Sequence, residues 1–123
     1  YFGQRISLWK NRLTVNSRLE DSNQTTITND NTSSIDNSNS NSGAVYLYVR
    51  NGTTWTQEAY IKASNNNASD GFGISFFLND STVVVAAYGE SSNQTTITND
   101  NTSSTNNSNE NSGAVYIYHF EAF

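Results

Sequence analysis

The stretch GAVYLYVRNGTTWTQEAYIKASNNNASDGFG, residues 43–73, decides the fold. Val45 to Val49 is apolar or aromatic at every position, so as a strand it presents apolar groups on both faces of its sheet. Asn51-Gly52 is a strong hairpin signal, and TTWTQEAYIKA (53–63) reads as the returning strand. A polar linker, ASNNNASDG (63–71), then leads into Phe72-Gly73. A hairpin with two apolar faces belongs to a sheet packed between neighbours.

The rest of the chain supplies such a neighbour by repetition. A shift of 70 positions lays SGAVYLY (42–48) on SGAVYIY (112–118) and SNQTTITNDNTSS (22–34) on an identical copy at 92–104. The same shift aligns Phe2-Gly3 with Phe72-Gly73, Leu8 with Leu78, Val15 with Val85 and Glu20 with Glu90. Residues 1–53 thus match 71–123 without gaps, and about half of the aligned positions are identical. In the second copy GISFFL (73–78) and TVVVAAY (82–88) are rich in β-branched and aromatic residues and are separated by the turn-forming Asn79-Asp80-Ser81. The order in each copy is strand, short turn, strand, long loop, strand, short turn, strand.

A four-stranded antiparallel sheet with both faces buried, repeated along the chain, describes a propeller blade packed between two others. The sequence therefore predicts an all-β chain: a fragment of a β-propeller built from four-stranded antiparallel blades with long Asn/Ser/Thr-rich loops. Residues 1–63 form the first blade, with its long loop at 20–42; residues 64–123 form the second, which lacks its fourth strand and has its loop at 90–112. Because a closed propeller needs roughly four to eight blades, further blades are expected in a longer protein. The run RLTVNSRLE (12–20) alternates, with Leu13, Val15 and Leu19 on one side and Arg12, Asn16 and Arg18 on the other. It predicts a first blade with one more exposed face, either a terminal or degenerate repeat or the product of drift. The small pair Ala86-Ala87 suits a place where blades converge.

Phe72-Gly73, the hairpin after it, Ala86-Ala87-Tyr88 in place of Gly-Ala-Pro, and Gly113-Ala114-Val115-Tyr116 together resemble the FG-GAP repeats of integrin α-subunit propellers and their bacterial relatives. Phe2, Gly3 and Gly43 occupy the same motif positions in the first copy. Segment 43–73 is particularly similar to the bacterial form. The resemblance covers nearly the whole chain apart from the Asn/Ser-rich inserts. It implies a noncatalytic binding or adhesion domain at the cell surface or outside the cell. It also implies that the rim carrying the long loops meets the ligand. Many integrin-type repeats carry an Asp-rich calcium loop between their first two strands. Here only Asn79-Asp80-Ser81 and Trp9-Lys10-Asn11 stand there, so calcium is not expected at that place.

Composition narrows the function classes. Six Lys and Arg against eleven Asp and Glu give a net charge of −5, and four of the basic residues, Arg5, Lys10, Arg12 and Arg18, alternate with apolar ones. This is the wet side of a strand pair and not the clustered footprint that nucleic acid requires. No apolar run is long enough to enter a membrane, and a signal or anchor is expected outside this segment. Cysteine is absent, so there is no disulfide framework or thiolate metal site. The 15 aromatic residues are too many for a wholly disordered chain.

Successive strands run in opposite directions, so the two long loops share one rim with the linker 63–71, and the short turns at 51–52 and 79–81 share the other. The polar rim is expected to contact a protein or glycan ligand through Asp30, Asp36, Asp70, Asp100 and Glu110. Asp30 and Asp100, with nearby Asn and Ser oxygens, are also candidate calcium ligands, since calcium takes six to eight oxygens. Against this, NSNSNSG (37–43) supplies neutral Asn where calcium loops use Asp, and no cofactor is otherwise expected. For the repeated stretch itself the preferred reading is a solvated, poorly ordered insertion copied along with its blade, its identity reflecting recent copying and not ligand demand.

Catalysis has little support. His119 is the sole histidine and aligns with Val49, as a strand-end surface residue would, and no nucleophile–base set or phosphate-cradling loop appears. Trp55 and Tyr60, at odd spacing on one strand, are expected on opposite faces and packed between blades, a carbohydrate-stacking role being the lesser alternative. The remaining readings are a noncatalytic propeller domain of a larger secreted enzyme and a purely structural repeat.

Overall fold

The computed structural model describes residues 1–121; the last two residues of the second expected blade lie outside the described residues. Seven strands form two antiparallel sheets. The first is a meander of β1 (Phe2–Trp9), β2 (Arg12–Ser17), β3 (Ala44–Asn51) and β4 (Thr54–Ile61), in that spatial order. The second contains β5 (Ser75–Leu78), β6 (Thr82–Ala87) and β7 (Ala114–His119). No described residue is helical. The β-branched and aromatic runs formed strands where the sequence predicted them, and Gly52 takes a positive φ of 61° in the turn between β3 and β4.

The core lies between the sheets. Register places Val45 and Leu47 of β3 beside Ile61 and Ala59 of β4, on one face of the first sheet. Val83, Val85 and Ala87 of β6 share a face of the second sheet with Leu78, Phe76, Tyr116 and Tyr118. These residues, with Ala63 and Phe72, form one cluster. Each fully buried Val or Leu here contributes about 1.5–3 kcal/mol. The edge strands β1 and β5 approach each other.

Phe72 closes this core from the linker side, with no exposed surface and its ring edge-on to Tyr116 at 5.4 Å and to Tyr118 at 6.2 Å. Its N–H donates to the Ser42 carbonyl at 2.9 Å. Gly43 passes so close that a Cβ there would stand 2.1 Å from the Phe72 carbonyl oxygen, at a φ of +88°. The Phe-Gly and Gly-Ala-Val-Tyr motifs are therefore two sides of one contact between adjacent blades. Gly73, Gly3 and Gly113 also have positive φ, and Phe2, the counterpart of Phe72, is 59% exposed.

Two expectations are corrected. The Arg12–Asn16 side of β2 is not a wet face: Arg12, Thr14 and Asn16 are buried toward the second sheet. Arg12 makes a fork to Glu58 at 2.9 and 2.8 Å and lies 4.3 Å from the centre of the Phe120 ring. Asn16 accepts from the Arg5 N–H and donates to the Gly73 carbonyl, both at 2.8 Å. Satisfied hydrogen bonds let these polar groups take core positions that would otherwise cost several kcal/mol, roughly 2–7 each. Trp55 and Tyr60 do not lie on opposite faces. A register shift between Leu47 and Tyr48 sets Tyr60 opposite Tyr46 and Trp55 opposite Arg50, on one face. The extra residue, Glu58, inverts the parity of the strand.

Candidate functional site

The polar rim is built from loop 18–43, linker 62–74 and loop 88–113. Side-chain amides of the linker tie the three together. Asn66 donates to the carbonyls of Ser22 (2.8 Å) and Gln24 (3.0 Å) in the first loop. Asn65 donates to Glu90 Oε1 (3.0 Å) and the Ser104 carbonyl (2.7 Å) in the second, and the Ser64 and Ser103 hydroxyls share a hydrogen bond. Main-chain bonds from Ser69 to Ser40 and from Gly71 to Asn41 add to this. The rim is one continuous hydrogen-bonded layer that spans both blades.

The expected ligand-contacting acids fall into two groups. Asp30 and Asp100 are exposed, and each accepts from the N–H and hydroxyl of the threonine two residues on, at 2.7 and 2.6 Å and at 2.8 and 2.6 Å. Those threonine bonds hold both carboxyls below the usual range. Asp36 does the same for the N–H and hydroxyl of Ser38 and also accepts from the Asn23 N–H, and its carboxyl is likewise lowered, most by Ser38. Glu110 is exposed on the second loop. Asp70 departs from the expectation: it lies under the rim, 3% exposed, accepting from the Asn67 N–H at 2.9 Å. Burial raises its carboxyl above the usual range, and nearby Glu90 adds to the rise. Asp30 and Asp100 are spent on their own turns in separate loops. No cluster of three His, Asp or Glu suited to a metal occurs among the described residues.

The repeated stretch makes long-range hydrogen bonds in both copies. Its first copy clasps the outer edge of β4. Thr28 and Tyr60 exchange main-chain bonds of 2.9 and 2.8 Å, and Gln57 Nε2 donates to the carbonyls of Asp30 (3.3 Å) and Thr32 (2.8 Å). Gln24 braces the clasp by donating to the Thr26 carbonyl and the Thr28 hydroxyl, both at 2.9 Å. Beneath it the Lys62 ammonium is fully buried and donates to Glu20 Oε2 and the Ser42 hydroxyl, both at 2.8 Å. Desolvation lowers the lysine pKa, against the opposing pull of Glu20. Among the described residues the Tyr60 hydroxyl is buried without a partner in bonding geometry, and burial pushes its pKa far up. Gln57, Lys62, Glu20 and Ser42 were not singled out by the sequence. The hints were that Glu20 aligns with Glu90 and Ser42 with Ser112 in the repeat.

Elsewhere, His119 ends β7 with Nδ1 3.1 Å from the Thr82 hydroxyl. The Trp55 ring faces the Arg50 guanidinium, 5.6 Å from its centre. On the opposite rim Lys10 pairs with Asp80 at 3.0 Å, joining the two short turns.

Residues 55–118, more than half of the chain, match the family model of the FG-GAP repeat. The chain belongs to the FG-GAP repeat family. The match begins in β4 of the first sheet and ends in β7 of the second, so it contains the Phe72 contact and the linker that ties the rim together. Searches of curated proteins and of solved structures give no match. Membership of the FG-GAP family accounts for the two-sheet architecture as part of a β-propeller-type repeat domain. No helix among the described residues is long and apolar enough to cross a membrane.

Proposed function

We propose that this FG-GAP segment is a non-enzymatic binding scaffold of an extracellular or cell-surface protein and that its polar rim contacts a protein or glycan. The observation that supports this reading is the linker's hydrogen bonding to both loops, mainly to their main-chain carbonyls, which holds the loop backbones that carry the exposed Asn, Ser, Thr and Asp side chains. Preordering reduces the entropy that binding must offset. Ile35 and Ile97, 95% and 86% exposed on that rim, add apolar contact to a surface otherwise made of hydrogen-bonding groups. The contacting acids are Asp30, Asp36, Asp100 and Glu110, and calcium is not required. The test is an array of extracellular-matrix proteins and glycans probed with the chain and with the double variant Ile35→Asp/Ile97→Asp. The reading expects binding that the variant weakens without change in melting temperature. Absence of binding, or binding indifferent to the variant, defeats it.

A further inference from the structure

The three segments of the rim contain two aromatic residues, Phe72 and Tyr88. Phe72 is buried, whereas Tyr88, just past the end of β6, is 57% exposed. Its ring is seated on the linker: a Cβ on Gly71 would stand 2.6 Å from Tyr88 Cε1 and 3.1 Å from Cδ1, at a φ of +63°. Only glycine leaves room for the ring there. The Gly89 N–H donates to the Asp70 carbonyl at 3.0 Å and so ties the residue after the ring to the same linker. One side of the ring thus rests on backbone and the rest is open to solvent. The position lies at the surface even where another blade follows. Its counterpart in the first blade, Arg18, turns to its own sheet at the surface, Nε donating to Gln4 Oε1 at 2.7 Å.

Two polar residues beside this seat are uncommitted. The Ser69 N–H donates to the Ser40 carbonyl at 2.8 Å and the Gly71 N–H to the Asn41 carbonyl at 3.1 Å, which brings Ser69 and Asn41 next to Gly71. Both are exposed, and among the described residues neither side chain makes a hydrogen bond. The neighbouring Asn65, Asn66 and Asn67 amides, by contrast, are all spent on the loops and linker. Both residues also take left-handed backbone angles, φ 57° for Asn41 and 68° for Ser69. Serine is uncommon in that region, and such angles cluster at ligand sites. The surrounding charge restricts the ligand. Arg18 and Lys62 are the only basic residues in the rim segments, one bonded to Gln4 and the other buried against Glu20, while Asp30, Asp100 and Glu110 are exposed. Such a surface repels anionic polymers.

We propose that Tyr88, with Ser69 and Asn41 beside it, is a stacking subsite for one ring of an uncharged polysaccharide whose pyranose units present flat C–H faces, the class of β-linked glucose and N-acetylglucosamine chains. The inference rests on the rim reading above and names its ligand. The C–H face of the sugar covers the open side of the tyrosine ring, and the Asn41 amide and Ser69 hydroxyl bond the sugar hydroxyls. Because Gly71 already seats the ring, stacking costs little side-chain entropy.

The test is a saturation-transfer NMR titration of the intact chain with cellohexaose and with N-acetylchitohexaose, an oligogalacturonate of the same length serving as the anionic control. Saturable binding of at least one neutral oligosaccharide is expected, with transfer strongest to the ring C–H protons, and none of the oligogalacturonate. Tyr88→Ala is expected to weaken binding about tenfold. Tyr88→Phe is expected to bind as the parent does, since stacking uses the ring and not the hydroxyl. Equal binding by the Tyr88→Ala variant, loss of binding in Tyr88→Phe, or equal binding of the anionic control overturns the subsite and leaves the rim reading standing. Failure of both neutral oligosaccharides, with a protein of the matrix array still captured and released by Ile35→Asp/Ile97→Asp, does the same. Failure of both together with an empty array defeats the subsite and the rim reading alike.

Discussion

Substituting Lys62→Met tests the buried centre of the first blade. The lysine side chain has no exposed surface and Glu20 only 13%, and their charged groups are 2.8 Å apart. Methionine fills the space of the aliphatic stem but removes the ammonium, so the Glu20 carboxylate and the Ser42 hydroxyl lose their donor. Removing one partner of a buried ion pair costs about 3–5 kcal/mol, because the remaining charge is desolvated without compensation. A domain of this size has about 5–15 kcal/mol in all. The variant therefore loses about a fifth or more of its stability, and melts lower by on the order of 10–20 °C. Urea unfolding followed by Trp fluorescence, at unchanged m value, measures it. Adding Glu20→Gln removes the stranded charge, and the double variant is expected to recover part of the loss, with a coupling of about 1–3 kcal/mol. A single variant within about 1 kcal/mol of the parent, or a double variant less stable than the single, would refute the pairing.

Gly43→Ala forces a Cβ to 2.1 Å from the Phe72 carbonyl oxygen at a φ of +88° and is expected to cost more than about 3 kcal/mol, whereas Gly52→Ala, with φ +61° and open space around it, costs about 1–2; thermal melts compare the two. Asp70 has a folded pKa raised above its ordinary 3.8 by burial, so its carboxylate opposes folding once ionised. Asp70→Asn is expected to be at least as stable as the parent at pH 7, with the advantage fading as pH falls through the raised value toward 3.8, in melts across that range. For Asp30, Asp36 and Asp100, whose carboxyls are lowered, the sign reverses, and their contribution is lost as pH drops below 3.8. The outer face of the second sheet leaves Phe77, Val115 and Ile117 about 60% exposed; Val115→Lys/Ile117→Lys is expected to reduce concentration-dependent association in sedimentation velocity.

The strands and their pairing were legible because the apolar runs, the Asn51-Gly52 turn and the gapless repeat all point the same way. Double-sided apolarity in β3 and β6 foretold stacked sheets. Burial on β2 was misjudged because alternation tells which residues share a face but not which face is covered. Arg12 and Asn16 are core residues only because Glu58, Phe120 and Gly73, distant in sequence, complete their bonding. The register shift at Glu58 has no local mark, so the relative facing of Trp55 and Tyr60 was inaccessible to spacing alone. In the rim, the acids were visible as residue types but not their internal use. The loop's grip on β4 depends on Gln57 and Lys62, polar residues on or just after an apolar strand whose partners lie 20–42 positions away. A lysine following Tyr60-Ile61 reads as a solvated strand end until Glu20 and Ser42 are seen to enclose it.

The central claim is that the two sheets stack face to face through the β2 side of the first blade. Nuclear Overhauser contacts in the intact chain test it most directly. The account predicts cross-peaks from the Arg12 side chain to the Phe120 ring, and from the Asn16 side-chain amide to Gly73, whose carbonyl it bonds at 2.8 Å. Absence of both, with the contacts inside each sheet intact, would mean that the sheets do not pack this way and would contradict the account.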